Sequence, residues 1–362
     1  MIRPPFAAAA SARARSSTLT VALCLALLPS SGLSQQKIDT ARVRATYDSV
    51  IARRNAFERV HGRYVNVDGI RMHYLEWGKP TGVPFVWAHG SGSSGYELRH
   101  VAPRLAAAGY RVLAVDYRGH GFTTVTNFNF GISHIADDLV GLLDHLRIPA
   151  AVFGGASKGG SVAAAVYDQY PTRVLGLLMA DGGTWSLQWM FDRQTPEEIK
   201  RSLSDPIPVI TGPTHFDVFM KVVGNPPYQS ADWLFDMLFR IGPVENGQWA
   251  FLPNFERLMG STQELATRRP TTLPLLQWSE NAMIPRMMFR RLHVPMMILD
   301  PQGENDARTV TEQNEWLVKD HPRLVTNRIY PKTGHNILQS KPDWFVRDAI
   351  ELLGKVRQRL RR

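Results

Sequence analysis

The pentapeptide Gly155-Ala156-Ser157-Lys158-Gly159 constrains the fold of this chain more than any other segment. It follows a short apolar run, Ala150 to Gly154, that reads as a buried strand. It precedes a helical pattern from Ser161 to Tyr170 that Pro171 stops. A serine on so sharp a strand-to-helix turn has an exposed hydroxyl, and the flanking glycines let the backbone make the turn. The position is also a helix N-terminus, where unpaired N–H groups and the helix dipole favour developing negative charge. Such a turn suits an activated nucleophile. It also fits an ordinary serine N-cap, so the surrounding chain has to decide.

Strand patterns recur on both sides of it. Arg63 to Val67 and Ile70 to Trp77 flank Asp68-Gly69, a short hairpin signal. Val83 to Ala88, Tyr110 to Val115 and Val174 to Ala180 alternate with helical patterns, which predicts βαβ units and a mostly parallel sheet. Two further strands are expected at Val294 to Leu299 and Leu324 to Tyr330. Between the strand ending at Ala180 and the one beginning at Val294, from about residue 184 to 291, the alternation stops. Helical fragments there are broken by Pro206, Pro208, Pro213, Pro226-Pro227, Pro253, Pro270 and Pro274.

Each of five strands runs into a recognisable loop: His89-Gly90, Asp116-x-Arg118-Gly119-x-Gly121, Gly155-x-Ser157-x-Gly159, Gly303-x-x-Asp306 and Gly334-His335. In this order, behind the third, fourth, fifth, seventh and eighth predicted strands, these motifs resemble the α/β-hydrolase family. The resemblance covers the chain from about Arg63 to its end. It implies the α/β-hydrolase fold: a mostly parallel sheet flanked by helices, with a helical cap inserted after the sixth core strand. Five segments are expected: an export signal at 1–34, a helical extension at 35–60, the core at 61–183, the cap at 184–291, and the rest of the core at 292–362.

Carried over residue by residue, the resemblance makes Ser157 the nucleophile, His335 its general base and Asp306 the acid that orients the histidine. The chemistry asks for the same residue types. A serine hydroxyl needs an adjacent base at neutral pH, imidazole can take and return the proton, and a carboxylate on the other ring nitrogen fixes its tautomer. The Ser91 and Lys158 backbone N–H groups are expected to form the oxyanion hole. Two other carboxylates compete with Asp306: Asp300, at the end of the same strand, and Asp181, after the sixth strand, from which some family members take their acid. His89 and His120 read as structural loop residues. No histidine spacing suggests a metal site, and no cofactor is expected.

Lys158 departs from the family pattern, which more often has a bulky apolar residue after the nucleophile. Its side chain either attracts an anionic substrate group or points away, leaving only its N–H to matter. Haloalkane dehalogenases and epoxide hydrolases of this family place an aspartate at the nucleophile position. Ser157 therefore favours attack on a carbonyl, and the leading expectation is a serine hydrolase of carboxylic esters or lactones. The alternatives are a carbon–carbon bond hydrolase, which the His89-Gly90-Ser91-Gly92 loop resembles, an aminopeptidase, and a non-catalytic binding protein on the same fold. Residues 185–289 hold 20 of the chain's 37 Trp, Phe and Met residues. Most would form the cap's own core, and the rest would line a pocket for a bulky hydrophobic substrate.

Arg3, Arg13 and Arg15 precede an apolar stretch from Leu19 to Leu28 and small residues at 32–34, which reads as a secretory signal. The stretch is too short for a stable membrane anchor. Cys24, the single cysteine, lies within it, so an exported mature chain would carry no thiol and no disulfide. The net charge of +10 comes from scattered basic residues rather than one stripe, so no nucleic-acid partner is expected. The expected partner is a small-molecule ester.

Overall fold

The structure, a computed structural model, describes residues 38–186, 195, 197, 210–260, 273–303 and 310–361. The proposed export signal and Asp306 lie outside the described residues. The chain enters through helix α1 (Thr40–His61), whose N-cap Asp39 accepts from the Arg42 N–H at 3.1 Å. The hairpin follows as β1 (Gly62–Val67) and β2 (Ile70–Trp77). Asp68 and Gly69 both have positive φ, as a turn matching the strands' right-handed twist requires.

The core then alternates: β3 (Val83–Ala88), α2 (Ala102–Ala107), β4 (Tyr110–Val115), α3 (Ile132–His145), β5 (Ala151–Ala156), α4 (Lys158–Gln169) and β6 (Val174–Ala180). After the insertion come β10 (Met296–Gln302), β11 (Val325–Pro331) and the C-terminal helix Pro342–Leu360. The eight strands lie in the order β1-β2-β4-β3-β5-β6-β10-β11. The β1–β2 and β2–β4 pairs are antiparallel and the other five are parallel.

Alternate residues of each strand feed two cores, one on each face of the sheet. Val112 and Ala114 of β4, Val152 of β5 and Met297 and Leu299 of β10 pack with the C-terminal helix on one face. Their neighbours Leu113, Val115, Phe153, Met296 and Ile298 pack with α3 and α4 on the other. Apolar side chains buried on both faces explain why these strands read as unbroken apolar runs rather than as alternations.

The described part of the insertion holds more than helices. Short strands β7 (Thr211–Gly212), β8 (Ile241–Pro243) and β9 (Trp249–Phe251) form a small antiparallel sheet in the order β7-β9-β8. It packs with the helices His215–Val223 and Ala231–Phe239. Strands of two or three residues carry no legible period, so only the proline breaks were visible in the sequence.

α1 is held to the core by a buried charge cluster. His73 of β2 is bonded through Nδ1 to Asp116 Oδ2 at 2.8 Å and through Nε2 to Glu58 Oε2 of α1 at 3.2 Å. Burial works against the imidazolium, but the two carboxylates outweigh it and raise His73 from 6.5 to about 9. Between these values the folded state keeps a proton that the unfolded chain has lost. The stabilisation is therefore complete below about pH 6.5 and lost as the pH rises through about 9, a change of about 3 kcal/mol. Urea unfolding is expected to show stability falling between pH 7.5 and 9.5, with the slope flattened in His73→Gln. A slope unchanged in that variant would remove the cluster from the account.

Candidate active site

The Ser157 turn is strained in the way its sequence suggests. Ser157 has φ 53° and ψ −122°, between the end of β5 and the first turn of α4. A non-glycine residue held there costs on the order of 1–3 kcal/mol and persists only where its surroundings enforce it. The small neighbours do that. A Cβ on Gly159 would overlap the Ala88 carbonyl, one on Gly155 would overlap the Gly159 backbone, and one on Gly182 would overlap the Ser157 carbonyl. The Ser157 N–H donates to the Ala180 carbonyl at 3.0 Å, tying the turn to the end of β6.

That tie places Asp181, the next residue after β6, beside the serine turn. Asp181 is itself a positive-φ residue at 49° and is 3% exposed. Its Oδ2 is 2.6 Å from His335 Nδ1, in the loop that follows β11. Among the described residues the carboxylate facing His335 is thus Asp181, the rival in the sequence reading; its first choice, Asp306, lies outside the described residues. Asp300 is not at the rim at all. β10 continues two residues past it, to Gln302, so Asp300 stays buried within the sheet and its Oδ2 accepts from Asn327 Nδ2 at 3.2 Å. Burial raises its pKa, and the neighbouring Asp181 charge adds to the effect.

The loop after β3 lies against the serine turn. A Cβ on Gly90 would sit 3.6 Å from the Ser157 Cβ. Gly92 has φ +66°, and the Ser93 N–H donates to the Gly90 carbonyl at 3.2 Å, closing a tight turn around Ser91. Lys158 opens α4, so its N–H belongs to the helix's first turn, which has no intrahelical acceptor. Its side chain, 2% exposed, does not reach outward. Nζ is paired with Glu280 and lies 3.1 Å from Gln277 Oε1, both on the inserted helix Leu275–Asn281.

The remaining motif residues are structural. Asp116 accepts from the Gly95 N–H at 2.7 Å and the Phe122 N–H at 2.9 Å, and Arg118 grips Asp138 with two nitrogens. His89 bonds the Gly90 carbonyl through Nδ1 at 2.7 Å and stacks on Tyr117. Burial lowers His89 to about 4 and His120 well below 6.5, so both are neutral rings near pH 7. Among the described residues no group of three or more His, Cys, Asp or Glu is placed to hold a metal ion.

Three residues of this site gave no sequence signal. Glu97 reaches back under the Gly90–Ser93 loop, while Glu280 and Gln277 meet Lys158 from more than a hundred residues away. Alongside Ser93 and Gly119–Gly121, a pocket opens toward the insertion and is walled by Phe239, Ile241, Leu252, Phe255, Leu258 and Met259.

Comparison with known proteins agrees with this architecture. Residues 83–220 match the family model for the α/β-hydrolase fold. Epoxide hydrolase A of Mycobacterium tuberculosis is 38% identical over 102 residues, which are 28% of this chain and 32% of that protein. Bifunctional epoxide hydrolase 2 of Mus musculus is 34% identical over 116 residues, 32% of this chain and 21% of that one. The chain thus spans about a third or less of the length of these relatives. A carboxylesterase structure from the thaumarchaeon Nitrososphaera gargenis superposes with a TM-score of 0.56 at 14% identity, over 82% of this chain and 99% of that one. The sheet order, the strained serine turn and these matches show the α/β-hydrolase fold.

Proposed function

We propose that the chain is an exported serine hydrolase that cleaves carboxylic esters, lactones included, through an acyl-enzyme on Ser157. The observation that carries this reading is the 2.6 Å contact between His335 Nδ1 and Asp181, beside a serine held at φ 53°. With Nδ1 engaged by the carboxylate, Nε2 is the nitrogen left to take the Ser157 proton and return it to the leaving group. The Ser91 and Lys158 N–H groups would receive the oxyanion. Water, activated by the same imidazole, would then release the acid.

The epoxide hydrolases to which the chain is similar raise a competing chemistry. A serine alkoxide opening an epoxide would leave an ether on the enzyme, which general-base-activated water does not cleave. A carboxylate nucleophile leaves an ester, which it does. Ser157 thus favours carbonyl substrates in spite of that similarity. The apolar pocket beside Ser93 supports a bulky hydrophobic group on the substrate. For export, the support is the basic and apolar pattern of residues 1–34. Among the described residues no helix is long and apolar enough to cross a membrane.

The test is labelling of the purified chain with a fluorophosphonate, read by mass spectrometry. One adduct per chain on Ser157 is expected, absent in His335→Ala, together with turnover of medium-chain arylesters faster than acetate esters. Folded protein left unlabelled would overturn the serine-hydrolase reading. Faster turnover of the acetate ester would overturn only the substrate preference.

A further inference from the structure

Glu97 sits on the short 3-10 turn Gly95–Leu98, at the far end of the loop that begins at His89. Its carboxylate points back along that loop. Oε1 accepts from the Trp87 indole N–H at 2.7 Å, Oε2 accepts from the Gly90 N–H at 3.3 Å, and the Ser93 hydroxyl also donates to it. One side chain therefore fastens the strand that launches the loop and both residues flanking the Ser91–Gly92 tip. The other face of Gly90 rests on Ser157. Beyond Glu97, Asp116 Oδ1 fixes the Gly95 N–H at 2.7 Å, so the loop's exit is anchored as well.

We propose that Glu97 is a positioning residue that holds the Ser91 N–H where the oxyanion forms. The inference rests on the serine-hydrolase reading above and adds a residue to it. Burial raises Glu97 to about 7, while the three donors that converge on it favour the ionised form, which as an acceptor-only group meets all three. An amide of the same shape has one oxygen to accept with, and its NH₂ would face another donor. The isosteric substitution therefore loosens the loop without opening a cavity. The side chains of a Gly- and Ser-rich segment are too small to pack much, so hydrogen bonds carry much of its placement. Hydrogen-bond donors aimed at a developing oxyanion are worth about 10²–10³ in rate when lost outright, and a donor left in place but unfixed should cost part of that.

The experiment compares wild type, Glu97→Gln and Ser93→Ala, with kcat expressed per site titrated by the fluorophosphonate. Glu97→Gln is expected to lower kcat about 10- to 100-fold with KM within about threefold. Its Ki for a trifluoromethyl ketone, which forms a tetrahedral oxyanion on the serine, should rise in parallel. Ser93→Ala, which removes one of the three donors, should shift both quantities the same way by less, and it keeps the proposal testable if Glu97→Gln does not fold. Normal kcat per titrated site and unchanged ketone affinity in the folded variants would overturn the positioning role and leave the serine-hydrolase reading standing. Wild type that is not labelled would instead remove that reading, and this one with it.

Discussion

Replacing Asp181 by asparagine is expected to lower kcat on an arylester about 10⁴-fold with KM little changed, whereas Asp306→Asn stays within about threefold of wild type. An amide at position 181 keeps the shape of the contact with His335 Nδ1 but no longer stabilises the imidazolium, and it lets the ring adopt the wrong tautomer. An effect of that size marks the acid of a triad. Loss of a carboxylate that merely braces a loop would appear as instability, so melting temperatures of both variants belong beside the kinetics. The reverse pattern, with Asp306→Asn crippled and Asp181→Asn active, would return the acid to the loop after β10. A carboxylate reintroduced in an Asp306→Asn/Asp181→Glu protein adds a finer check. The longer side chain should recover part of the rate if only the charge and its approach to Nδ1 matter.

The choice between Asp181 and Asp306 shows where the sequence stopped being informative. Both satisfy the order serine, acid, histidine, and both follow an apolar run that reads as a strand. What the structure adds is the lateral place of Asp181. β6 lies directly against β5, the Ala180 carbonyl holds the Ser157 N–H, and Asp181 turns at φ 49° toward the loop carrying His335. No local pattern records such adjacency. The core strands were legible because burial on both faces leaves long apolar runs, and Asp68-Gly69 was legible because few dipeptides accept positive φ twice. Asp300 misled for a related reason. The strand was expected to end at Leu299, but it runs to Gln302 and carries Pro301 within it. Glu97 belongs to the same class as Asp181, since a glutamate after a Gly/Ser loop signals nothing until the chain folds it back.

Lys158 leads to the second large effect, one of stability. Its ammonium and the Glu280 carboxylate are both buried, and Ser161 Oγ donates to the same carboxylate at 2.9 Å. The partner helix Leu275–Asn281 also receives the α3 N-terminus, where the Ile132 N–H donates to Ser279 Oγ at 2.8 Å. The pair therefore joins the serine helix to the insertion at one buried point. Glu280→Leu strands a buried ammonium with Gln277 as its remaining described polar partner, and a loss of about 3–5 kcal/mol is expected in urea unfolding. Lys158→Met strands the carboxylate and should cost a similar amount. The double variant Lys158→Met/Glu280→Leu should recover most of the loss, because two apolar groups remove both desolvation penalties together. Its kcat/KM should stay within about threefold of wild type on neutral and anionic esters alike, since residue 158 keeps its backbone N–H. Single variants within about 1 kcal/mol of wild type would mean the pair is not closed in solution. A double variant that is stable but selectively poor on anionic esters would show instead that the lysine side chain reaches the substrate.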